Sequence, residues 1–273
     1  MPQPVVNFLR YSLTLKAAIA ECADTPDPKP VHRLRSTTRR MEAVLELLGE
    51  LFANSTDLPK GRRKQRSFRR YLRKIRRAAG AVRDVDVHLE ILETYQVIRD
   101  TAVLEKDLKV ARRKLAKRLQ QRIMKDERDL RRALDELEAV LAPFADLDWT
   151  GGALAHAAQE WLATAVHGLD PQQDDDLHSI RKACKTARYI AEIGGETSKA
   201  ATKLAERFEA IQQTTGAWHD YLLLLNEAHA ALPEDSPLVE KIRAKAFRLW
   251  RKAELRARPL HTMNRLVTTR GRI

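Results

Sequence analysis

A histidine followed by two cations occurs twice in this chain at helical spacing. The two copies are His32-x-x-Arg35-x-x-x-Arg39 and His178-x-x-Arg181-x-x-x-Lys185. Positions three and four residues apart lie on one face of an α-helix, so each copy presents an imidazole and two cations as a single stripe. Guanidinium and ammonium groups in a row bind phosphate and carboxylate oxygens. The spacing therefore predicts binding of a polyanion.

The repeat continues beyond the two stripes. It includes two six-residue segments, AGAVRD at residues 79–84 and TGAWHD at residues 215–220, and the apolar residues before each glycine are displaced in step. Such matching predicts two helices with the same buried face, and hence two related helical halves, residues 1–144 and 145–273. The first half has more residues between stripe and glycine, and the extra ones are expected around residues 54–64.

Composition favours long helices and a basic surface. The chain has 273 residues, of which 44% are hydrophobic and 32% charged, enough for one large core or two small ones. It contains only 10 glycines and 11 prolines, and no alternating strand pattern is visible. Lys and Arg total 50 against 37 acids, which gives a net charge of +13. Such an excess is typical of proteins that bind nucleic acid, anionic lipid or another polyanion.

The positive charge is concentrated in residues 62–77. This segment contains ten cations and no acid, so i,i+4 ion pairs within it cannot neutralise the charge. A role in anion binding is therefore favoured over a merely solvated face. The equivalent segment of the second half, residues 199–213, contains three cations and two acids and is expected to contribute less.

Apolar periodicity, glycines and prolines predict the helices and their ends. The expected helices are 5–22, 31–52, a basic helix that stops at Gly80, 88–141 with a turn near 99–101, 153–166, a second stripe helix closed by Gly194-Gly195, 199–215, 218–232 and 237–257. Asp84 is expected to cap the helix after Gly80. The expected architecture is all-α: two pseudo-symmetric antiparallel helical bundles that share a basic groove or pore.

Together these motifs resemble the CHAD domain, the conserved histidine α-helical domain. The resemblance is carried by His32-x-x-Arg35-x-x-x-Arg39-Arg40, Gly80-x-x-Arg83-Asp84, His178-x-x-Arg181-x-x-x-Lys185-x-x-Arg188 and Gly216-x-x-His219-Asp220. It covers nearly the whole chain and implies a single CHAD domain over residues 1–273. The family implies an all-helical protein whose basic surface or pore binds inorganic polyphosphate. A non-enzymatic polyphosphate-binding protein is therefore expected, with targeting to polyphosphate granules as one role.

The expected polyphosphate site combines the two stripes with the basic helices. Its residues are His32, Arg35, Arg39, Arg40, Arg63, Arg66, Arg69, Arg70, Arg73, Lys74, Arg77, His178, Arg181, Lys185, Arg188, Lys199, Lys203 and Arg207. Replacement of Arg35 and Arg39 by Glu is expected to cost more affinity than replacement of Arg112 and Arg113.

Four further residues of the repeat are expected to be structural: Gly80, Gly216, Asp84 and Asp220. The two aspartates carry the same sign of charge as the ligand, so their expected role is capping and holding nearby Arg or His side chains. The sequence leaves two roles open for the duplicated histidines, phosphate contact and a helix anchor bonded to an aspartate. No cofactor and no metal are expected.

Two other functions are left open by the residues. A basic groove attracts DNA or RNA through counterion release alone, so sequence-independent nucleic-acid binding is the first. The His219-Asp220 pair suggests the second, an HD-type metal-dependent phosphohydrolase. The repeat argues against a metal site, because its equivalent pair is Arg83-Asp84 and arginine does not replace imidazole as a ligand.

The setting of the protein is predicted from two further features. Two cysteines, Cys22 and Cys184, are too few for a disulfide framework, so a reducing cytoplasm is the simplest location. The longest strongly apolar run, residues 222–225, is far short of the roughly 20 residues that span a bilayer. No membrane association is expected.

Overall fold

The computed structural model describes residues 3–53 and 59–270. Within these residues all regular structure is helical, which confirms the all-α prediction. The helices are α1 (Pro4–Asp24), α2 (Pro28–Ala53), α3 (Pro59–Leu92), α4 (Thr101–Leu141), α5 (Gly151–Ala165), α6 (Asp174–Gly194), α7 (Lys199–Ala231) and α8 (Pro237–Arg270). None of them, in the part of the chain described, is apolar over a stretch long enough to cross a membrane.

Local chemistry explains most helix ends. Helices α1, α2, α3 and α8 begin at a proline, whose fixed φ suits the first helical position and whose missing N–H would have no partner there. Ser198 precedes α7, and its hydroxyl accepts a hydrogen bond from the Ala201 amide at 3.3 Å. Helix α6 ends at Gly194, as predicted. Asp100 has a φ of +73° and ends the turn between α3 and α4, close to the predicted position.

The chain divides into two compact units. The first contains Met1–Val87 and Leu108–Thr150, and the second contains His88–Asp107 and Gly151–Ile273. The second unit therefore includes the end of α3 and the start of α4 in addition to α5–α8. The pseudo-symmetry and the shared groove stay predictions.

Each unit has its own apolar core. In the first, Phe8 of α1 and Phe68 of α3 are fully buried with their rings edge to face, 6.0 Å apart. In the second, Phe208 and Trp218 of α7 are buried. Cys22 and Cys184 are buried free thiols, and burial raises the pKa of each to about 12. Neither cysteine is therefore a thiolate near neutral pH.

The predicted helix breaks at Gly80 and Gly216 are wrong. Helix α3 continues through Gly80 to Leu92, so Asp84 lies inside the helix and does not cap it. Helix α7 likewise continues through Gly216. A glycine within a helix costs only about 1 kcal/mol. Buried apolar residues on both sides of each glycine, such as Ile75 and Val82 in α3, offset that cost.

The extra residues predicted at 54–64 fall partly outside the described chain, since residues 54–58 are not described. From Pro59 onward they are helical. Helix α2 extends further beyond its stripe than α6 does, and α3 begins further before Gly80 than α7 begins before Gly216. Much of the extra length is therefore additional helix.

Candidate anion-binding site

Helices α2 and α3 pack antiparallel in the first unit. Going forward along α2, Arg35, Glu42 and Glu46 contact residues that lie successively earlier in α3, namely Asp84, Arg76 and Arg69. Helices α6 and α7 show the same order in the second unit, because Arg181 contacts Asp220 while Arg188 contacts Glu209. Each stripe therefore faces the helix that carries the glycine and aspartate of the repeat.

Arg35 is held by α3. Its Nη1 donates to the Gly80 carbonyl at 3.1 Å and to Asp84 Oδ1 at 2.6 Å. A Cβ added to Gly80 would lie 3.6 Å from the same nitrogen, so the glycine leaves the guanidinium room to lie against the helix backbone. Asp84 thereby offsets the charge of the first stripe arginine.

The second unit repeats this arrangement. Arg181 is buried, and its Nη2 lies 3.7 Å from Asp220 Oδ1. Its Nε lies 3.6 Å from the position that a Cβ of Gly216 would take. In both units, then, the stripe arginine lies over the glycine and pairs with the aspartate four residues further on.

The histidines of the second unit lie beside this pair. The rings of His178 and His219 are stacked with centroids 4.5 Å apart, and His219 Nδ1 lies 3.8 Å from Asp220 Oδ1. Burial acts to raise the pKa of Asp220, but the neighbouring His219 and the Arg181 guanidinium outweigh it and the pKa is lowered. In the first unit His32 is exposed on α2.

Several guanidinium groups converge between α2 and α3. Arg76 forms an ion pair with Glu42. Burial and, to a smaller extent, the positive charges of Arg39, Arg77 and Arg35 together lower the pKa of Arg76 to about 10. Arg76 therefore lies close to several other cations, and an added anion would relieve their repulsion.

The most basic segment of the sequence, residues 62–77, lies on α3. An open cleft of about 530 Å³ is lined, among the described residues, by six cations: Arg66, Arg69, Arg70, Arg73, Lys74 and Arg77. We call it the α3 cleft. Five of the six are exposed, and four of these five lie at i, i+4, i+7 and i+11 and so form one row along the helix, namely Arg66, Arg70, Arg73 and Arg77. At 1.5 Å per residue this row is about 16 Å long. Arg63 is exposed one turn before it.

Tyr71 and two aspartates of α4 hold part of this surface. Arg70 and Lys74 lie over the Tyr71 ring at 4.9 and 5.1 Å from its centroid. The Tyr71 hydroxyl donates to Asp129 at 3.2 Å, and Lys74 Nζ lies 3.7 Å from Asp126. The tyrosine that interrupts the basic sequence therefore orients its cationic neighbours.

The family model of the CHAD domain matches residues 13–229. This chain belongs to the CHAD domain family. The crystal structure of the CHAD domain from the plant Ricinus communis is similar at 19% identity, with a TM-score of 0.60, 96% of this chain and 88% of that chain covered. PptA from Streptomyces chartreusis is similar at 19% identity, with a TM-score of 0.58, 97% of this chain and 99% of that chain covered. No curated protein matches the chain.

The second unit of this CHAD domain offsets more of its positive charge. Arg188 lies in a largely buried position and pairs with Glu209 at 2.8 Å and Glu192 at 3.2 Å. Lys185 is half-buried on α6. Lys199, Lys203 and Arg207 are exposed on α7. The last two line a different cleft, together with Arg256 of α8.

Arg112 has a role that its sequence context did not reveal. Its Nε donates to Asp86 at 2.9 Å, its Nη2 donates to the Pro26 carbonyl at 2.8 Å, and the Asp86 side chain is only 3% exposed. Arg113 is exposed. Replacing Arg112 in this CHAD domain would therefore remove a structural contact. Replacing Arg35 would do the same, because Asp84 holds its guanidinium.

The geometry does not favour the HD-type alternative. Among the described residues of the CHAD domain, no group of three or more His, Cys, Asp or Glu side chains is arranged to hold a metal ion. The carboxylate of the His219-Asp220 pair instead lies 3.7 Å from the Arg181 guanidinium.

Proposed function

We propose that this CHAD domain binds inorganic polyphosphate through the α3 cleft and does not convert it chemically. The observation that carries the proposal is the lining of that cleft by six cations. A linear polyanion with regular charges and no bases offers no partner for aromatic stacking or base readout, so rows of Arg and Lys suit it. Such binding would place the protein at polyphosphate granules in the cytoplasm.

Neighbouring cations extend this site. Arg39 of α2 lies close enough to Arg76 to lower its pKa, and Arg40 and Arg63 belong to the same unit. Arg35 and Arg181 act chiefly by holding the fold, because Asp84 and Asp220 offset their charges. The cations of α6 and α7 belong to the second unit and are not among the described residues that line the α3 cleft.

A matched pair of triple variants tests the site. The variant R66Q/R73Q/R77Q removes three charges from the row, and R113Q/K117Q/R128Q removes three exposed charges of α4 outside the cleft, in the same unit. Calorimetry with long-chain polyphosphate is expected to show an affinity loss of at least about 100-fold for the row variant, or about 2.7 kcal/mol. The α4 variant is expected to lose less than about threefold. Equal losses would contradict the site.

Competition with duplex DNA distinguishes polyphosphate binding from sequence-independent nucleic-acid binding. Duplex DNA of matched total charge is added to the polyphosphate complex at about 0.15 M salt in metal-free buffer. We expect the DNA to leave the complex intact. Displacement at equal charge concentration would indicate sequence-independent nucleic-acid binding instead.

A further inference from the structure

A second cleft, between α7 and α8, combines charge with apolar surface. It has a volume of about 520 Å³ and lies within the second unit. Its cations are Lys203 and Arg207 of α7 and Arg256 of α8, and its acid is Glu206. Within the described part of the chain, none of the three cations pairs with a carboxylate. The described residues of the lining therefore carry an excess of two positive charges.

The other described residues that line this cleft are apolar. Ala210, Ile211 and Leu260 contribute to its wall. A smaller cavity of about 50 Å³ shares Ile211 and Leu260 and continues toward Leu162 and Phe208. Cationic nitrogen atoms thus border an apolar recess, whereas the residues described along the α3 cleft are all cations.

The two surfaces suit different ligands. Polyphosphate has no apolar part and would gain nothing from Ile211 or Leu260, while buried apolar area contributes roughly 25 cal/mol per Å². A small excess of positive charge next to an apolar recess is complementary to one anionic group joined to an apolar group. Arg256 and Leu260 also lie beyond residues 13–229, the part that the family model matches.

We infer that the α7–α8 cleft binds a small amphiphilic organic anion, a phosphate or carboxylate carrying an alkyl or aryl group. The head group lies between Arg256 and the two α7 cations, and the tail lies against Ile211 and Leu260. This ligand site is separate from the proposed polyphosphate site.

Calorimetry of the full chain with monomeric n-octyl phosphate tests this inference. Inorganic phosphate provides the head group alone and 1-octanol the tail alone. We expect n-octyl phosphate to bind at least about tenfold more tightly than either, since each part adds free energy of order 1.4 kcal/mol. Equal binding of inorganic phosphate, or no binding of n-octyl phosphate, would overturn the inference.

Three single variants locate the binding. Arg256→Gln removes a head-group contact, Ala210→Phe fills the cleft, and Arg251→Gln removes an exposed α8 cation outside the lining. The first two are expected to weaken n-octyl phosphate binding by about tenfold or more, and the third by less than about twofold. If Ala210→Phe does not fold, Arg256→Gln against Arg251→Gln decides. Equal effects of these two would sink the assignment.

Polyphosphate binding by the same variants keeps the two proposals apart. It is expected to be unchanged in Arg256→Gln and Ala210→Phe, and n-octyl phosphate binding is expected to be unchanged in R66Q/R73Q/R77Q. Competition of long-chain polyphosphate for the n-octyl phosphate site would overturn the separate assignment.

Vesicles containing phosphatidic acid distinguish a membrane lipid from a free ligand. One outcome is that the protein binds monomeric n-octyl phosphate and also sediments with the vesicles. If Arg256→Gln abolishes that sedimentation, the head group is that of a membrane lipid. Binding of the monomer without sedimentation would identify a free amphiphile. Sedimentation without binding of the monomer would contradict the cleft.

Discussion

For single residues, the presence or absence of a carboxylate partner distinguishes cations that stabilise the fold from cations that can bind a ligand. Arg35 and Arg112 donate to carboxylates of their own unit, at 2.6 and 2.9 Å. Arg66 and Arg73 are exposed in the α3 cleft. A buried charge without a partner costs free energy, so cations paired with carboxylates contribute to stability. Exposed cations are available to a ligand.

Replacing Arg112 by Ala is expected to lower the free energy of unfolding by about 2 to 4 kcal/mol, because buried Asp86 would lose its cation. Replacing the adjacent exposed Arg113 by Ala is expected to change it by less than about 0.5 kcal/mol. Urea unfolding measures both, and equal changes would contradict the role of the Arg112–Asp86 pair.

The pH dependence of stability tests the Asp220 carboxylate. Because its pKa is lowered in the folded state, the carboxylate contributes stability above its ordinary pKa of 3.8 and loses it as pH falls through the lowered value. Asp220→Asn is therefore expected to be less stable than the unchanged protein near neutral pH, by about 1 to 3 kcal/mol. The gap should narrow as the pH falls below 3.8. A gap that stayed constant into acid would contradict the lowered pKa.

Among the helices, α3 both holds a stripe arginine and carries the proposed anion-binding surface. Arg35 packs against Gly80, and the exposed row of cations lines the α3 cleft. Helix ends with proline, serine or paired glycines were predictable, since they depend on neighbouring residues alone. The continuity of α3 and α7 was not, because a glycine within a helix and one that ends a helix look alike in the sequence.

Gly80→Ala is expected to raise the free energy of unfolding by up to about 1 kcal/mol. Alanine is the better helix former, and its Cβ would meet Arg35 Nη1 at 3.6 Å, an ordinary contact. Gly80→Leu is expected to lower stability, because the larger side chain would push the guanidinium away from Asp84. Urea unfolding of the two variants checks this, and destabilisation by both to the same extent would contradict it.

At the scale of the whole molecule, a net charge of +13 attracts any polyanion. What distinguishes a site within that field is the local density of cations, which is highest in residues 62–77. The general attraction is screened by salt over about 10 Å at 0.1 M ionic strength, whereas close contacts release bound counterions.

The salt dependence of polyphosphate binding is therefore expected to depend on the row. The slope of log affinity against log salt concentration is expected to become shallower by about 2 to 3 in R66Q/R73Q/R77Q, roughly one for each lost contact. In R113Q/K117Q/R128Q it is expected to change by less than about 1. Binding titrations at several salt concentrations measure both slopes, and identical slopes would show that only the overall charge matters.

Composition, spacing and motifs were sufficient to predict the all-α class, most helix ends, the family and the most basic segment. These properties depend on composition and on spacing along one helix, so they can be read without knowing what packs against what. Three contacts became evident only when the helices were packed together: Asp84 holds Arg35, Asp86 holds Arg112, and Arg256 lines one cleft with the α7 cations. Ion pairs depend on the distance between two side chains in space, and helix packing brings together residues that are far apart in the chain.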